Sequence, residues 1–391
     1  MSTGSTENRH LQQTRVEFSA GLFGVYVHWP YCARICPYCD FNVYKNRAVD
    51  ADIWVAALTR DLEKYATRTR GRKLTSLYFG GGTPSLAPLP VIESVIDACE
   101  TLWGFERGAE ITLEANPTDA EQSRFESFAK AGVNRLSLGV QSLRDDALKF
   151  LGRDHDAVAA KRAIAAAQAA FPRVTFDLIY GRPGQTLQDW RAELSEALEL
   201  GPKHLSLYQL TIEPGTAFGV AVDKGRWAPP EDDVTADMYD IAQEMTAAAS
   251  LPAYEISNHA APGEESRHNL VYWTYGDYAG VGPGAHGRLT EDGARIATEA
   301  PLAPQDYLSA APHEETTLTP AEAAMERLSM GLRLTAGTPF TEDDAFFAEA
   351  SALERLDRLI GDKLLQWDGQ TLVATANGRR ILNRVLYELF A

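Results

Sequence analysis

The chain has 391 residues, 45% of them hydrophobic, and a net charge of −17 at neutral pH. That length calls for two domains rather than one core, and that acidity removes any general attraction to nucleic acid or anionic lipid. Four cysteines are too few for a disulfide framework.

In chain order, residues 1–22 come first as a mobile tail, polar through Glu17 and lacking the apolar stretch of a secretory signal. No apolar run reaches the roughly 18 residues that a transmembrane helix needs. These features predict a cytoplasmic protein without a membrane span, which leaves transient membrane association open.

From Phe23 a short apolar strand followed by a helix-length segment recurs six times. Strands are expected at Phe23–Trp29, Leu74–Phe79, Ile111–Ala115, Arg135–Val140, Val174–Tyr180 and His204–Leu210. Several are almost continuously apolar, as happens when both faces of a parallel sheet are covered. Helical periods separate them: Trp54, Leu58, Leu62 and Tyr65, then Ile92, Val95, Ile96 and Cys99, then the alanine-rich segment 157–170. Repeated units of this kind give an α/β fold with a parallel sheet and right-handed crossovers. Periodicity alone does not separate an open doubly wound sheet from a partial barrel.

Past Thr211 the regularity ends. A helix is expected over 231–250, a strand over 253–257, and a glycine- and aromatic-rich region over 258–287. Residues 301–320, rich in Pro and Thr, read as a linker. Helices over 321–335, 342–348 and 351–363 then precede a hairpin turning at Asp368-Gly369, and a helix over 379–390 closes the chain. Helices followed by a small hairpin make a C-terminal helical, winged-helix-like domain, and the acidity favours docking or a lid role over DNA binding. The expected divisions are 1–22, 23–225, 226–310 and 311–391.

Three of the four cysteines crowd into Cys32-x3-Cys36-x2-Cys39. Thiolates this close repel and oxidise unless a metal neutralises them. Three are one short of the four that fill a structural zinc or a fully ligated cluster. A zinc site completed by His28 is the plain alternative; an iron left open for a reactant is the other. Cys99, on the apolar stripe of its helix, is expected to be a buried thiol.

The cysteine spacing, just after the first strand of a βα series, resembles the signature of the radical S-adenosylmethionine (SAM) superfamily. The resemblance implies a partial (β/α)6 barrel and a 4Fe-4S cluster on Cys32, Cys36 and Cys39, whose open iron is chelated by SAM. An electron donor is implied if SAM is cleaved. Gly80-Gly81-Gly82-Thr83 follows the second strand and is similar to the loop that holds the SAM amino group in that family, which points to Gly81, Gly82 and Thr83. Tyr26, Glu114, Gln141, Arg153 and Asp177 resemble, in order and spacing, the cluster- and SAM-contacting residues of oxygen-independent coproporphyrinogen III oxidase.

Matches from Gly24 into the C-terminal region are closest to the haem-chaperone branch related to that oxidase, the HemW-type proteins. They include Cys39-Asp40-Phe41-Asn42, Ile212–Thr216, Tyr254–Asn258 and Gly280–Gly287. His268-Asn269-x-x-Tyr272-Trp273 is similar to the branch's haem-associated motif. An imidazole can coordinate iron and aromatic faces can cover a macrocycle, with His286 as a second candidate ligand. Phe41 stands where the oxidases carry a further cysteine, and the N-terminal extension is short. The resemblance therefore implies a carrier that binds haem and passes it to apo-haemoproteins such as respiratory enzymes. The rival is an enzyme that oxidatively decarboxylates tetrapyrrole propionates.

Overall fold

Six parallel strands lie side by side in sequence order: β1 (Phe23–Trp29), β2 (Leu74–Gly81), β3 (Phe105–Ala115), β4 (Arg135–Gln141), β5 (Arg173–Tyr180) and β6 (His204–Gln209). They belong to a computed structural model that describes residues 21–45, 48–119, 122–348 and 351–391. Apart from residues 21 and 22, the expected tail lies outside the described residues. The crossovers carry α1 (Ala51–Arg68), α2 (Leu89–Leu102), α3 (Gln122–Lys130), α4 (Ala157–Ala170) and α5 (Leu187–Glu199). Asp50 starts α1 by accepting from the backbone of Asp52 and Ile53, and the helix buries Trp54, Leu58, Leu62 and Tyr65 against the sheet. Cys99 lies fully buried on α2 among Val91, Ile92, Val95 and Ile96.

After β6 come α6 (Asp232–Ala248), β7 (Asn258–Ala260), the short α7 (Arg267–Trp273), then β8 (Asp277–Val281), β9 (His286–Glu291), β10 (Ala294–Glu299) and β11 (Glu314–Leu318). β8 pairs parallel to the free side of β1, while β7 and β9 to β11 are antiparallel additions. The sheet runs β11-β10-β9-β8-β1-β2-β3-β4-β5-β6-β7, so its two edges never meet and the barrel is partial.

Two expectations need correction. Residues 253–257 make only two isolated bridges, Ala253 to His259 and Glu255 to Leu334, and strand pairing starts at Asn258. The Glu255 carboxylate turns back to accept from Ser257 N at 2.9 Å, which bends the backbone out of extension. Residues 301–320 are not a linker. Pro304 opens a short helix to Leu308, and Glu314–Leu318 forms the sheet's last strand. Threonine suits that edge position as well as it suits a loop.

A second apolar core starts at Ala324 and gathers Leu328, Phe340, Leu356, Leu372 and Leu389. It joins α8 (Pro320–Gly331), α9 (Ala352–Gly361) and α10 (Leu382–Phe390) to a small sheet of β12 (Thr338–Pro339), β13 (Leu365–Trp367) and β14 (Thr371–Ala374). Gly369 takes φ +87° in the hairpin turn. Thr319 and Glu322 form a capping box at the start of α8, and we place the division between the two cores there.

Candidate functional site

The loop after β1 leaves and returns at a short parallel pairing of Tyr31–Cys32 with Tyr44–Lys45, and Cys36 and Cys39 lie between. All three cysteines line one cavity of about 380 Å³ at the C-terminal ends of the parallel strands, where such folds place ligands. Thr83 Oγ1 donates to Cys32 Sγ at 3.5 Å, and Arg153 Nη1 donates to Cys36 Sγ at 3.2 Å. Burial pushes the Cys39 thiol up to about 11 and raises Cys32 as well, so thiolate ligation has to be drawn out by a metal.

Among the described residues no three His, Cys, Asp or Glu side chains converge as the ligands of one metal ion do. His28 is already engaged at both nitrogens, with Tyr26 Oη at 3.0 Å and the Asn42 carbonyl at 2.9 Å. The zinc alternative thus lacks its fourth ligand.

The expected SAM-side residues converge on the same cavity: Gly81, Gly82, Thr83, Glu114, Gln141, Arg153 and Asp177 all line it. Gly81 has φ +104°, and a Cβ there would come within 2.6 Å of the His28 ring. At Gly82 a Cβ would lie 2.7 Å from the Tyr31 carbonyl. Its N–H donates to Trp29 O at the end of β1 at 2.7 Å, and the Thr83 N–H donates to Tyr31 O at 2.9 Å, which fastens this loop to the cysteine loop. Tyr78 Oη donates to Glu114 at 2.7 Å. Burial nevertheless lifts the Glu114 carboxyl to about 7, with the Asp177 charge adding to the rise and the Tyr78 and Gly81 hydrogen bonds opposing it. Asp177 also reaches about 7 through burial, against Ser206 and Arg153. Gln141 Oε1 and Arg153 Nε are buried with no hydrogen-bond partner. Such orphaned donors and acceptors, beside paired carboxylates, fit a zwitterionic amino acid joined to a nucleoside.

Asn116 belongs to this site and was not singled out by sequence. Its Nδ2 donates to Thr83 Oγ1 at 3.0 Å and its Oδ1 accepts from Arg153, so it ties the glycine loop to the residue that touches Cys36. Its place two residues after Glu114, in a strand-end run, is the signal that would have found it.

A second cavity, of about 600 Å³, shares Asp40, Phe41, Gly81 and Glu114 with the first. Tyr272 and Trp273 line it, together with Tyr26, Tyr275, Tyr278, His286, Arg288 and, from α8, Glu326 and Met330. Tyr26 is therefore placed in this wall and not in the cysteine cavity. His268 is not at this surface either. It is 1% exposed, and its ring stacks on Tyr78 at 4.7 Å with Nδ1 2.8 Å from Ser76 Oγ and Nε2 2.7 Å from Tyr272 Oη. Asn269 opens on a small polar cavity of about 70 Å³ inside the barrel, which shares Glu114, Ser137, Asp177 and Tyr208 with the cysteine cavity. The fully buried Glu110 sets this orientation: it accepts from Ser266 Oγ and from the backbone of Arg267 and His268, each at 3.2 Å. Arg135 and Arg173 neutralise it at 3.3 Å.

A parallel barrel whose first strand leads into three cysteines lining one cavity, faced by a glycine loop and strand-end carboxylates, defines a radical SAM protein. Residues 26–197 match the radical SAM superfamily. The chain is 38% identical to the heme chaperone HemW of Escherichia coli K12, over 94% of this chain and 97% of that one. It is 35% identical to the mitochondrial radical S-adenosyl methionine domain-containing protein 1 of Danio rerio, over 98% and 90%. The chain belongs to the HemW family of radical SAM proteins. The structure of Escherichia coli coproporphyrinogen III oxidase shares the fold, with a TM-score of 0.77 and 21% identity over 98% of this chain and 93% of that one.

Proposed function

We propose that this protein binds haem in the aromatic cavity and hands it to apo-haemoproteins, respiratory enzymes among them, while Cys32, Cys36 and Cys39 hold a 4Fe-4S cluster and the adjoining residues hold SAM. The observation that carries this reading is the aromatic cavity itself, large enough for a cofactor-sized ligand and sharing a wall with the cysteine cavity. Tyr272 and Trp273 offer apolar faces to a macrocycle, and Trp273 Nε1 is buried without a partner of its own. A bound cluster and SAM supply one-electron chemistry, for which an electron donor would be the partner. In a carrier the same pair would control release or assembly instead of turnover.

Around them Gly81 and Gly82 admit close backbone approach, Glu114 accepts from the amino group, and Arg153 with Asn116 holds the cysteine loop against the strand ends. No helix among the described residues is long and apolar enough to cross a membrane, and we assign the work to the cytoplasm.

After anaerobic cluster reconstitution, one sample is titrated with haemin, mixed with an apo-haemoprotein acceptor, and assayed for coproporphyrinogen turnover. Stoichiometric haem uptake and transfer without turnover are expected, with uptake weakened in Trp273→Ala. Multiple turnovers of coproporphyrinogen, or no haem uptake, would overturn the reading.

A further inference from the structure

Two histidines compete for the role of iron ligand, and their surroundings separate them. His268 has both ring nitrogens committed to buried partners, Ser76 and Tyr272, and its ring is packed face to face on Tyr78. To reach a ligand in the cavity it would break two buried hydrogen bonds and leave the Ser76 hydroxyl without its partner. Its place fits another task. By holding the Tyr272 hydroxyl at 2.7 Å, it fixes a ring that forms part of the cavity wall and meets Tyr278 edge-on at 4.5 Å.

His286 is the opposite case. It opens β9, lines the aromatic cavity, and its side chain is 57% exposed. Among the described residues neither ring nitrogen has a hydrogen bond; the Glu299 carboxylate lies 3.9 Å from Nε2, beyond hydrogen-bond reach. Glu299 stands directly across the antiparallel pair from His286. An imidazole beside a carboxylate is the usual arrangement of a metal-binding histidine, because the carboxylate can take the second ring N–H and fix the tautomer.

The backbone beneath is held firmly. A Cβ at Gly280 would fall 2.0 Å from the His286 carbonyl, and one at Gly287 would fall 2.5 Å from Thr298 Oγ1, so only glycine lets these strands close around the histidine. Arg288, two residues on and therefore on the same face of β9, also lines the cavity, where its guanidinium is held by Glu326 at 2.8 Å and by the Gly287 carbonyl at 2.9 Å.

We propose that His286, and not His268, is the protein ligand to the iron of a haem seated in this cavity, with His268 acting as a positioning residue for Tyr272. The inference rests on the haem-binding reading above. The test is haemin titration of the full chain, wild type against His286→Ala and His268→Gln, read by the Soret band, by the spin state of the ferric complex in electron paramagnetic resonance, and by affinity.

In His286→Ala the histidine-ligand signature should vanish and affinity fall by about tenfold or more; added imidazole should restore the signature, which shows that the fold is intact. His268→Gln should keep the wild-type ligand signature. A wild-type spectrum in His286→Ala, or loss of the ligand signature in His268→Gln alone, overturns the assignment. If wild-type protein takes up no haem by any of the three readouts, the haem reading itself is what fails.

Discussion

Replacing Glu114 by Gln should make the ligand-free chain more stable, by a margin that grows with pH. Glu114 ends β3 beside Asp177, and burial raises its carboxyl from 4.5 to about 7. Because the folded value lies above the unfolded one, the folded state keeps a proton between pH 4.5 and 7 that the unfolded chain releases. The group's contribution to stability is therefore fully present below pH 4.5 and is lost as pH rises through 7.

A rise from 4.5 to about 7 corresponds to at most about 3 kcal/mol, less whatever the open side of the cavity screens. Glutamine keeps an acceptor for Tyr78 Oη and carries no charge to desolvate. Wild type and Glu114→Gln should thus be nearly equal at pH 4.5 and separate to about 1–3 kcal/mol at pH 8, with the variant the more stable. Urea unfolding of cluster-free protein at several pH values measures the gap. The same substitution should weaken SAM binding in calorimetry, since the ammonium group that offsets the buried charge loses its partner. A stability gap that stays constant between pH 5 and 8 would refute the reasoning, for the effect would then owe nothing to the carboxyl proton.

Reconstituted Cys99→Ala should keep its full iron content and visible absorption, because that thiol lies buried on α2, whereas Cys36→Ala should lose the cluster. Gly152→Ala forces a side chain onto a residue at φ +69° and to 2.6 Å from Pro37 Cδ, so it should cost about 1–3 kcal/mol in urea unfolding and lower iron uptake by displacing the cysteine loop. Glu110→Gln leaves the buried Arg135 short of its counter-charge, while Arg173 keeps Glu264, and should destabilise by about 3–5 kcal/mol. Haem uptake by that variant should fall as well, because α7 carries Tyr272 and Trp273; thermal denaturation and haemin titration together check it.

Much of this could be read from local pattern. A strand covered on both faces has to be apolar along its length, so the runs beginning at Phe23, Leu74, Arg135 and His204 announced themselves, as did the stripe Trp54, Leu58, Leu62, Tyr65. The three cysteines stood out because thiolates so crowded repel and oxidise unless a metal neutralises them. Residues 301–320 misled because Pro and Thr serve loops and edge strands equally, and only pairing with β10 tells them apart. Residues 253–257 misled because the Glu255 carboxylate claims the backbone locally.

What the sequence by itself determined is the order of strands and helices and the set of groups at the strand ends, since periodicity and spacing act within a few residues and the parallel sheet carries those ends to one rim. What only the tertiary structure decided is which side of a motif faces a ligand. His268 faces Ser76, 192 residues away, and the aromatic cavity draws on Asn42, Tyr272, His286 and Met330. Burial and hydrogen-bond competition among such distant partners depend on how elements pack in space, and no local spacing encodes that outcome.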